Sequence, residues 1–140
     1  MAIGGTVSKP IFVKDGQYLS LTAEAAITLG NFVKMGTTSA LCNVCGADED
    51  ALGVAVGGNR FSRTSTDNVI AAGQKVTICT RGIVNVYTDT SAILVGSYIT
   101  TGTSGVAQLG AKTDFTTAQA IALEANASAA ATIMVKLMRG

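Results

Sequence analysis

The three cysteines are the side chains of this 140-residue chain best suited to chemistry. Cys42 and Cys45 have the C-x-x-C spacing of a redox pair or of half a zinc site, and Cys79 lies apart. A structural zinc site needs four ligands, and the sequence contains no histidine that could complete one. A thioredoxin-like pair would require a βαβ context, which the sequence does not show. We therefore predict three ordinary free thiols, no metal site and no cofactor.

Two further motifs are similar to ligand sites but lack essential features. The run Asp48–Asp50 is acidic, whereas a calcium loop alternates its ligands and needs glycine at the sixth position. The segment Gly105–Thr113 is close to a phosphate-binding loop, but Ala111 separates the second glycine from Lys112, and Asp114 would repel phosphate. No serine or cysteine has a base in a recognisable pattern, because histidine is absent. The sequence therefore predicts that the protein is not an enzyme.

Composition excludes further classes of protein. Ten basic and nine acidic residues give a net charge of +1, whereas a nucleic-acid-binding protein needs a concentrated basic face. Hydrophobic residues make up 48% of the chain, which argues against disorder. No window reaches the roughly 20 uninterrupted apolar residues of a membrane helix, and the N-terminus does not look like a signal peptide. We predict a protein made in the cytoplasm that binds neither nucleic acid nor membrane.

Short runs rich in valine, isoleucine and threonine, bounded by glycine, asparagine and aspartate, predict an all-β fold. We expect a small β-barrel or β-sandwich with at most two short helical segments, at 22–29 and in the first half of 116–124. The runs 75–80 and 83–88 are expected to pair as a hairpin. The predicted strands are 11–14, 18–21, 32–35, 41–44, 52–56, 75–80, 83–88, 98–101, 106–109, 121–125 and 132–137. The predicted core includes Val33, Val54, Val56, Val76, Ile78, Val84, Val86, Ile99, Leu123 and Val135.

One short phrase occurs three times, in Ile27–Val33, Ile70–Val76 and Ile93–Ile99. Each copy has an isoleucine, a glycine three residues later and a β-branched residue three residues after that. Glycine adopts positive φ without strain, so we predict a turn that feeds a strand whose β-branched residue points into the core. The copies start 43 and 23 residues apart, which is not the fixed period of a solenoid. A second phrase is expected to open a strand at Gly53, Gly82 and Gly105.

Four segments carry a resemblance to a known family: Gly30–Val33, Gly53–Val56, Ala72–Val86 and Ala120–Leu137. Together they resemble the small head-decoration proteins of tailed bacteriophages, over about residues 17–138. The resemblance implies a compact β-barrel or β-sandwich that binds as a homotrimer to the major capsid protein, on the outer surface of the expanded capsid. There it would cement neighbouring subunits against the pressure of the packaged DNA. The 57–68 loop and the segment around Cys42 and Cys45 depart from the family pattern.

Two other functions remain compatible with the sequence. The composition also suits another self-assembling virion subunit, such as a tail or fibre protein. It suits, less well, a small metal, redox or ligand-binding β module.

The N-terminal residues 1–16 form the part expected to attach the protein, and residues 17–140 form one β domain. The glycines and the proline of this segment discourage a helix, while its apolar side chains need a partner surface. We expect a strand-like arm that orders on a sheet edge of the capsid protein or of a neighbouring copy. The alternative is that Ile11–Lys14 is simply the first strand of the domain. The predicted contact residues are Ile3, Val7, Ile11, Phe12 and Val13, with Arg60, Phe61 and Arg63 as a second contact.

Overall fold

The computed structural model describes residues 13–47, 49–58, 69–89, 92–110, 118–127 and 132–138. Within these residues the chain forms β-strands and one 3₁₀ turn (Thr103–Gly105), and it contains no α-helix. The predicted all-β class is therefore confirmed. The strands are β1 (Val13–Ala23), β2 (Ile27–Thr28), β3 (Phe32–Met35), β4 (Leu41–Val44), β5 (Gly53–Gly58), β6 (Val69–Ile70), β7 (Lys75–Tyr87), β8 (Ala92–Ile93), β9 (Tyr98–Thr101), β10 (Ala107–Leu109), β11 (Ala120–Ala122), β12 (Asn126–Ala127) and β13 (Thr132–Leu137).

The long strand β7 organises the sheet. The main sheet has the order β1-β4-β3-β5-β7-β13-β11-β9-β10. Because β1 also pairs with β7, the strands β1, β4, β3, β5 and β7 form a closed ring. On the other side, a parallel bridge between Thr88 and Ala107 brings β10 back to the end of β7. The strands β2 and β6 form one two-stranded ribbon, and β8 and β12 form another.

The same arrangement of strands occurs twice along the chain. The first unit runs from β1 to the first half of β7 (residues 13–81), and the second runs from the other half of β7 to β13 (residues 83–138). In the first unit β3 pairs with β4 and β5, β5 pairs with β7, and β2 pairs with β6. In the second unit β9 pairs with β10 and β11, β11 pairs with β13, and β8 pairs with β12. The parallel β1–β4 pair corresponds to the Thr88–Ala107 bridge.

Two hydrophobic cores follow from this duplication. Successive residues of a strand point to opposite faces, so the strands of the first unit contribute to both cores. Phe32 of β3 is buried in the second core, whereas its neighbour Val33 is buried in the first. The first core contains Ala23, Ile27, Leu29, Val33, Cys42, Ala55, Ile70, Val76 and Ile78. The second core contains Phe32, Cys45, Val54, Cys79, Val84, Val86, Ile93, Ile99, Ala107, Ala120, Ala122, Ile133, Val135 and Leu137.

The structure confirms the turns predicted from the repeated phrase. Gly30, Gly73 and Gly96 have φ values of +94°, +86° and +87°. Each glycine is the third residue of a four-residue turn that is closed by a backbone hydrogen bond of 3.1–3.3 Å, and positive φ there is typical of type II turns. The β-branched residues three positions later are all fully buried, namely Val33, Val76 and Ile99.

The predicted hairpin between 75–80 and 83–88 is wrong. These residues form the single strand β7, which passes through Gly82 at a φ of +112°. Each half of β7 already has partners on both sides: β1 on one edge, and β5 or β13 on the other. A Cβ atom on Gly82 would lie 2.8 Å from the carbonyl oxygens of Lys14 and Asp15, so glycine serves here for close approach to β1 rather than for a reversal.

Other predicted elements also differ from the structure. The helical segment predicted at 22–29 is wrong, because β1 continues to Ala23 and β2 starts at Ile27. Gly53 opens β5 as predicted, but Gly82 lies inside β7 and Gly105 ends the 3₁₀ turn. Of the predicted core, Val33, Val54, Val76, Ile78, Val84, Val86, Ile99 and Val135 are buried, and Val56 is partly buried against the second core. Leu123 is wrong as a core residue, since it follows the end of β11 and is 38% exposed.

Candidate functional site

The three cysteines are free and buried, and they belong to different cores. Cys42 packs in the first core, whereas Cys45 and Cys79 pack in the second, so the C-x-x-C spacing points its two side chains into separate apolar environments. Burial raises the pKa of all three thiols, and raises that of Cys45 to about 12. The nearby Glu49 carboxylate acts in the same direction on Cys45. Such thiols are protonated at neutral pH and are poor nucleophiles and metal ligands.

We expect the stability of the protein to fall between about pH 9 and pH 12, in part because of Cys45. The folded protein keeps the Cys45 proton to a higher pH than the unfolded chain, so this contribution is complete below pH 9 and is lost as the pH rises towards 12. Denaturant unfolding across this range measures it, and the Cys45→Ala variant isolates it from other alkaline groups. Equal pH slopes for variant and wild type would contradict the prediction.

Glu49, the second residue of the acidic run, binds two nearby groups through its carboxylate. The carboxylate of Glu49 forms an ion pair with Lys34 at 2.8 Å and also accepts a hydrogen bond from the backbone N–H of Gly46. The hydrogen bond between Lys34 and Glu49 raises the pKa of the lysine and lowers that of the glutamate. Both side chains are partly exposed to solvent, so this pair contributes little stability. Within the described residues, no group of three or more histidine, cysteine or acidic side chains could hold a metal ion.

Only one of the predicted contact residues falls within the described part of the chain. Val13 begins β1, pairs with Val84 of β7 and packs against the second core. Val13 and Lys14 therefore belong to the first strand, as the alternative interpretation of Ile11–Lys14 expects, and the role of Val13 as a contact stays a prediction. The other predicted contacts lie outside the described residues: Ile3, Val7, Ile11, Phe12, Arg60, Phe61 and Arg63.

An apolar surface, which the sequence interpretation missed, is formed by the turn between β8 and β9 and by the end of β10. Leu94 and Val95 are 73% and 66% exposed at the tip of this turn, and Leu109 is 46% exposed beside it. Together with Tyr98 and the glycines of the two segments, they line an open groove of about 360 Å³. Clustered exposed apolar side chains of this kind are typical of interaction sites. We call this surface the β8–β9 groove.

A comparison of the three repeated turns could have revealed the groove from the sequence. The two positions before the glycine are Thr28 and Leu29 in the first copy, Ala71 and Ala72 in the second, and Leu94 and Val95 in the third, which alone has two large apolar residues there. Two large apolar residues in the exposed part of a turn have no role in the turn itself, which requires only the positive φ of its glycine. That pair was therefore a signal for a contact surface.

No helix in the described part of the structure has the length and apolar character needed to span a membrane.

The fold is shared with a structural component of a phage head. The crystal structure of the head fiber gp8.5 N base of bacteriophage phi29 matches with a TM-score of 0.64, covering 89% of this chain and 96% of that one. The sequence identity is 16%, so this likeness concerns the fold. A search of curated proteins finds no match.

Sequence comparison then identifies the family. The family described as structural cement protein (E217 gp24/Pam3 gp6) matches residues 4–138, which is nearly the whole chain. The chain therefore belongs to this family of phage structural cement proteins. The resemblance to phage head-decoration proteins seen in the sequence is thereby confirmed, and the protein is a structural component of the virion that binds capsid protein.

Proposed function

We propose that this cement protein sits as a homotrimer on the outer surface of the expanded capsid and bridges neighbouring subunits of the major capsid protein. The observation that carries the proposal is the family match over residues 4–138. The small number of charged residues also supports it, because close contacts between repeated subunits then bury few charges. A ligand that binds only the assembled shell stabilises the shell by mass action, and this effect is the physical basis of cementing.

The test uses capsids assembled without the cement protein, to which the purified full-length chain is added. We expect saturable binding to expanded capsids and a rise in the temperature at which the shells open. Free major capsid protein is the control, since a bridge between neighbours should bind it much more weakly. Saturable binding without any rise in the opening temperature would show that the protein decorates the capsid without cementing it.

The N-terminal arm is the predicted attachment segment. Deleting residues 1–10 should leave the unfolding temperature unchanged, because the described sheet starts at Val13. It should weaken capsid binding by at least about tenfold, equivalent to about 1.4 kcal/mol, because the apolar arm would no longer add its backbone and side chains to the partner. Binding isotherms on expanded capsids measure the change.

A matched pair of substitutions tests whether the apolar side chains of the arm, and not only its backbone, contribute to binding. Val7→Asp should weaken binding, since it places a charge where an apolar contact is expected, whereas Ser8→Asp should bind nearly as the wild type. If the truncated protein folds and saturates capsids with unchanged affinity, the arm is not the attachment segment.

A further inference from the structure

The two units of the chain correspond residue by residue around the turn that follows β2 in the first unit and β8 in the second. Each turn is followed by a hairpin, β3–β4 in the first unit and β9–β10 in the second. The N–H of the turn glycine donates a hydrogen bond to the strand after this hairpin or to the end of that strand, and the end of the hairpin is held by a second backbone hydrogen bond. The glycine bond joins Gly30 N–H to Ala55 O (2.7 Å) in the first unit and Gly96 N–H to Ala122 O (2.8 Å) in the second. The hairpin bond joins Cys45 N–H to Phe32 O (3.0 Å) in the first unit and Gly110 N–H to Tyr98 O (2.9 Å) in the second. The surface around Phe32 in the first unit is thus equivalent to the β8–β9 groove in the second.

In the first unit this surface is covered by the 3₁₀ turn of the second unit. The side-chain amide of Asn31 donates a hydrogen bond to the carbonyl oxygen of Ser104 at 3.1 Å. Gly105 packs so closely that a Cβ atom there would lie 2.6 Å from the carbonyl oxygen of Phe32 and 2.6 Å from Cγ2 of Val44. Asn31 and Phe32 are buried as a result.

In the second unit the equivalent surface is open. Tyr98 takes the place of Phe32 and is only partly buried, and Leu109 takes the place of Val44 and is exposed. The apolar character of the surface is kept although the described residues supply no comparable cover.

The covering loop also has an equivalent, in the first unit. The loop between β3 and β4 closes with a hydrogen bond from Gly36 N–H to Leu41 O at 2.8 Å, and the loop between β9 and β10 closes with one from Gly102 N–H to Val106 O at 2.7 Å. The four residues 37–40 between the bonded pair are all exposed. Among the described residues, the second unit therefore presents an open groove and the first unit presents a covering loop that packs against no equivalent surface.

We propose that the β8–β9 groove of one copy binds the loop of residues 36–41 of a second copy of this chain. The contact follows the packing of the 3₁₀ turn within one molecule, but at a wider separation, because Ala40 takes the place of Gly105 and the loop has four residues (37–40) where the turn has three (103–105). The residues of both surfaces are uncharged, and the Glu24 carboxylate beside the loop accepts a hydrogen bond from the Thr37 hydroxyl. The contact is head-to-tail, and such contacts form closed rings when the rotation between copies allows it, as in a homotrimer. The proposal does not depend on capsid binding.

Cysteine cross-linking between copies tests the contact. Counted back from the bonded residues Leu41 and Val106, Ser39 takes the place of Ser104, and Ser97 takes the place of Asn31, whose side chain contacts Ser104 within the chain. Co-expressed Ser39→Cys and Ser97→Cys chains should form a disulfide-linked pair on mild oxidation, whereas either variant alone should not. The native cysteines are buried and should not contribute. In the control, Ser20→Cys is used instead of Ser39→Cys, because Ser20 is exposed on β1. Co-expression of Ser20→Cys with Ser97→Cys should give no disulfide-linked pair.

The outcomes discriminate between arrangements. A disulfide formed by Ser97→Cys alone would indicate a two-fold contact through the groove and would overturn the proposal. The absence of any disulfide would overturn it as well, and would leave the groove to capsid protein or to another segment of the chain.

A second measurement needs no new cysteine. Leu94→Asp should shift the sedimenting mass of the purified protein towards that of the monomer, whereas Val69→Asp, at an exposed valine of β6, should not. Circular dichroism checks that both variants fold. An unchanged mass for Leu94→Asp would contradict the head-to-tail contact, and because no capsid is present, this result would leave the cementing function untouched.

Discussion

Replacing Phe32 with alanine is expected to lower the free energy of unfolding by about 3–5 kcal/mol. Phe32 is fully buried, and it belongs by sequence to the first unit but by packing to the core of the second. Truncation removes apolar contacts and leaves a cavity at the junction, which the paired strands around it cannot readily fill. Both units should therefore lose stability together in one transition.

Denaturant unfolding followed by circular dichroism measures this loss. Val69→Ala is the control, because an exposed valine outside the β8–β9 groove should change the free energy of unfolding by no more than about 0.5 kcal/mol. A loss for Phe32→Ala close to that of the control would mean that the two cores do not depend on each other through this side chain.

Replacing Gly105 with alanine is also expected to lower the free energy of unfolding substantially. The backbone there has a φ of +78°, which costs an L-residue about 1–2 kcal/mol. The new methyl group would also meet the carbonyl oxygen of Phe32 and Cγ2 of Val44 at 2.6 Å, and such overpacking adds about 1–3 kcal/mol. The 3₁₀ turn must then move away from the first unit.

Gly73→Ala provides the matched control for this substitution. Gly73 has a similar φ of +86°, but a Cβ atom there would meet nothing within 4 Å, so only the backbone strain of about 1–2 kcal/mol remains. The difference between the two variants measures the crowding where the units meet. Equal losses would show that the 3₁₀ turn is not held tightly against the first unit.

The sequence determined the features that depend on near neighbours. Strands 32–35, 41–44, 98–101 and 132–137 have the predicted bounds, because β-branched composition and flanking turn residues act over a few residues. The three turns followed from glycine, which alone adopts positive φ without strain. The burial of the residue three positions later followed from the alternation of faces along a strand.

Tertiary structure decided which strands pair and what covers each face. The runs 75–80 and 83–88 read locally as a hairpin, yet they form one strand because β1, β5 and β13 occupy both edges. The strands β2, β6, β8 and β12 have two residues each, which is too short for any alternation pattern to reveal them. Their partners are tens of residues away in the chain.

The candidate site shows the same division. The sequence placed a turn at Gly96 correctly, but the exposure of Leu94 and Val95 depends on what packs against that turn. In the first unit the equivalent surface is closed by the 3₁₀ turn ending at Gly105, more than 70 residues further along the chain. Local composition therefore sets the conformation of a turn, whereas long-range packing decides whether its surface becomes core or remains open to a partner.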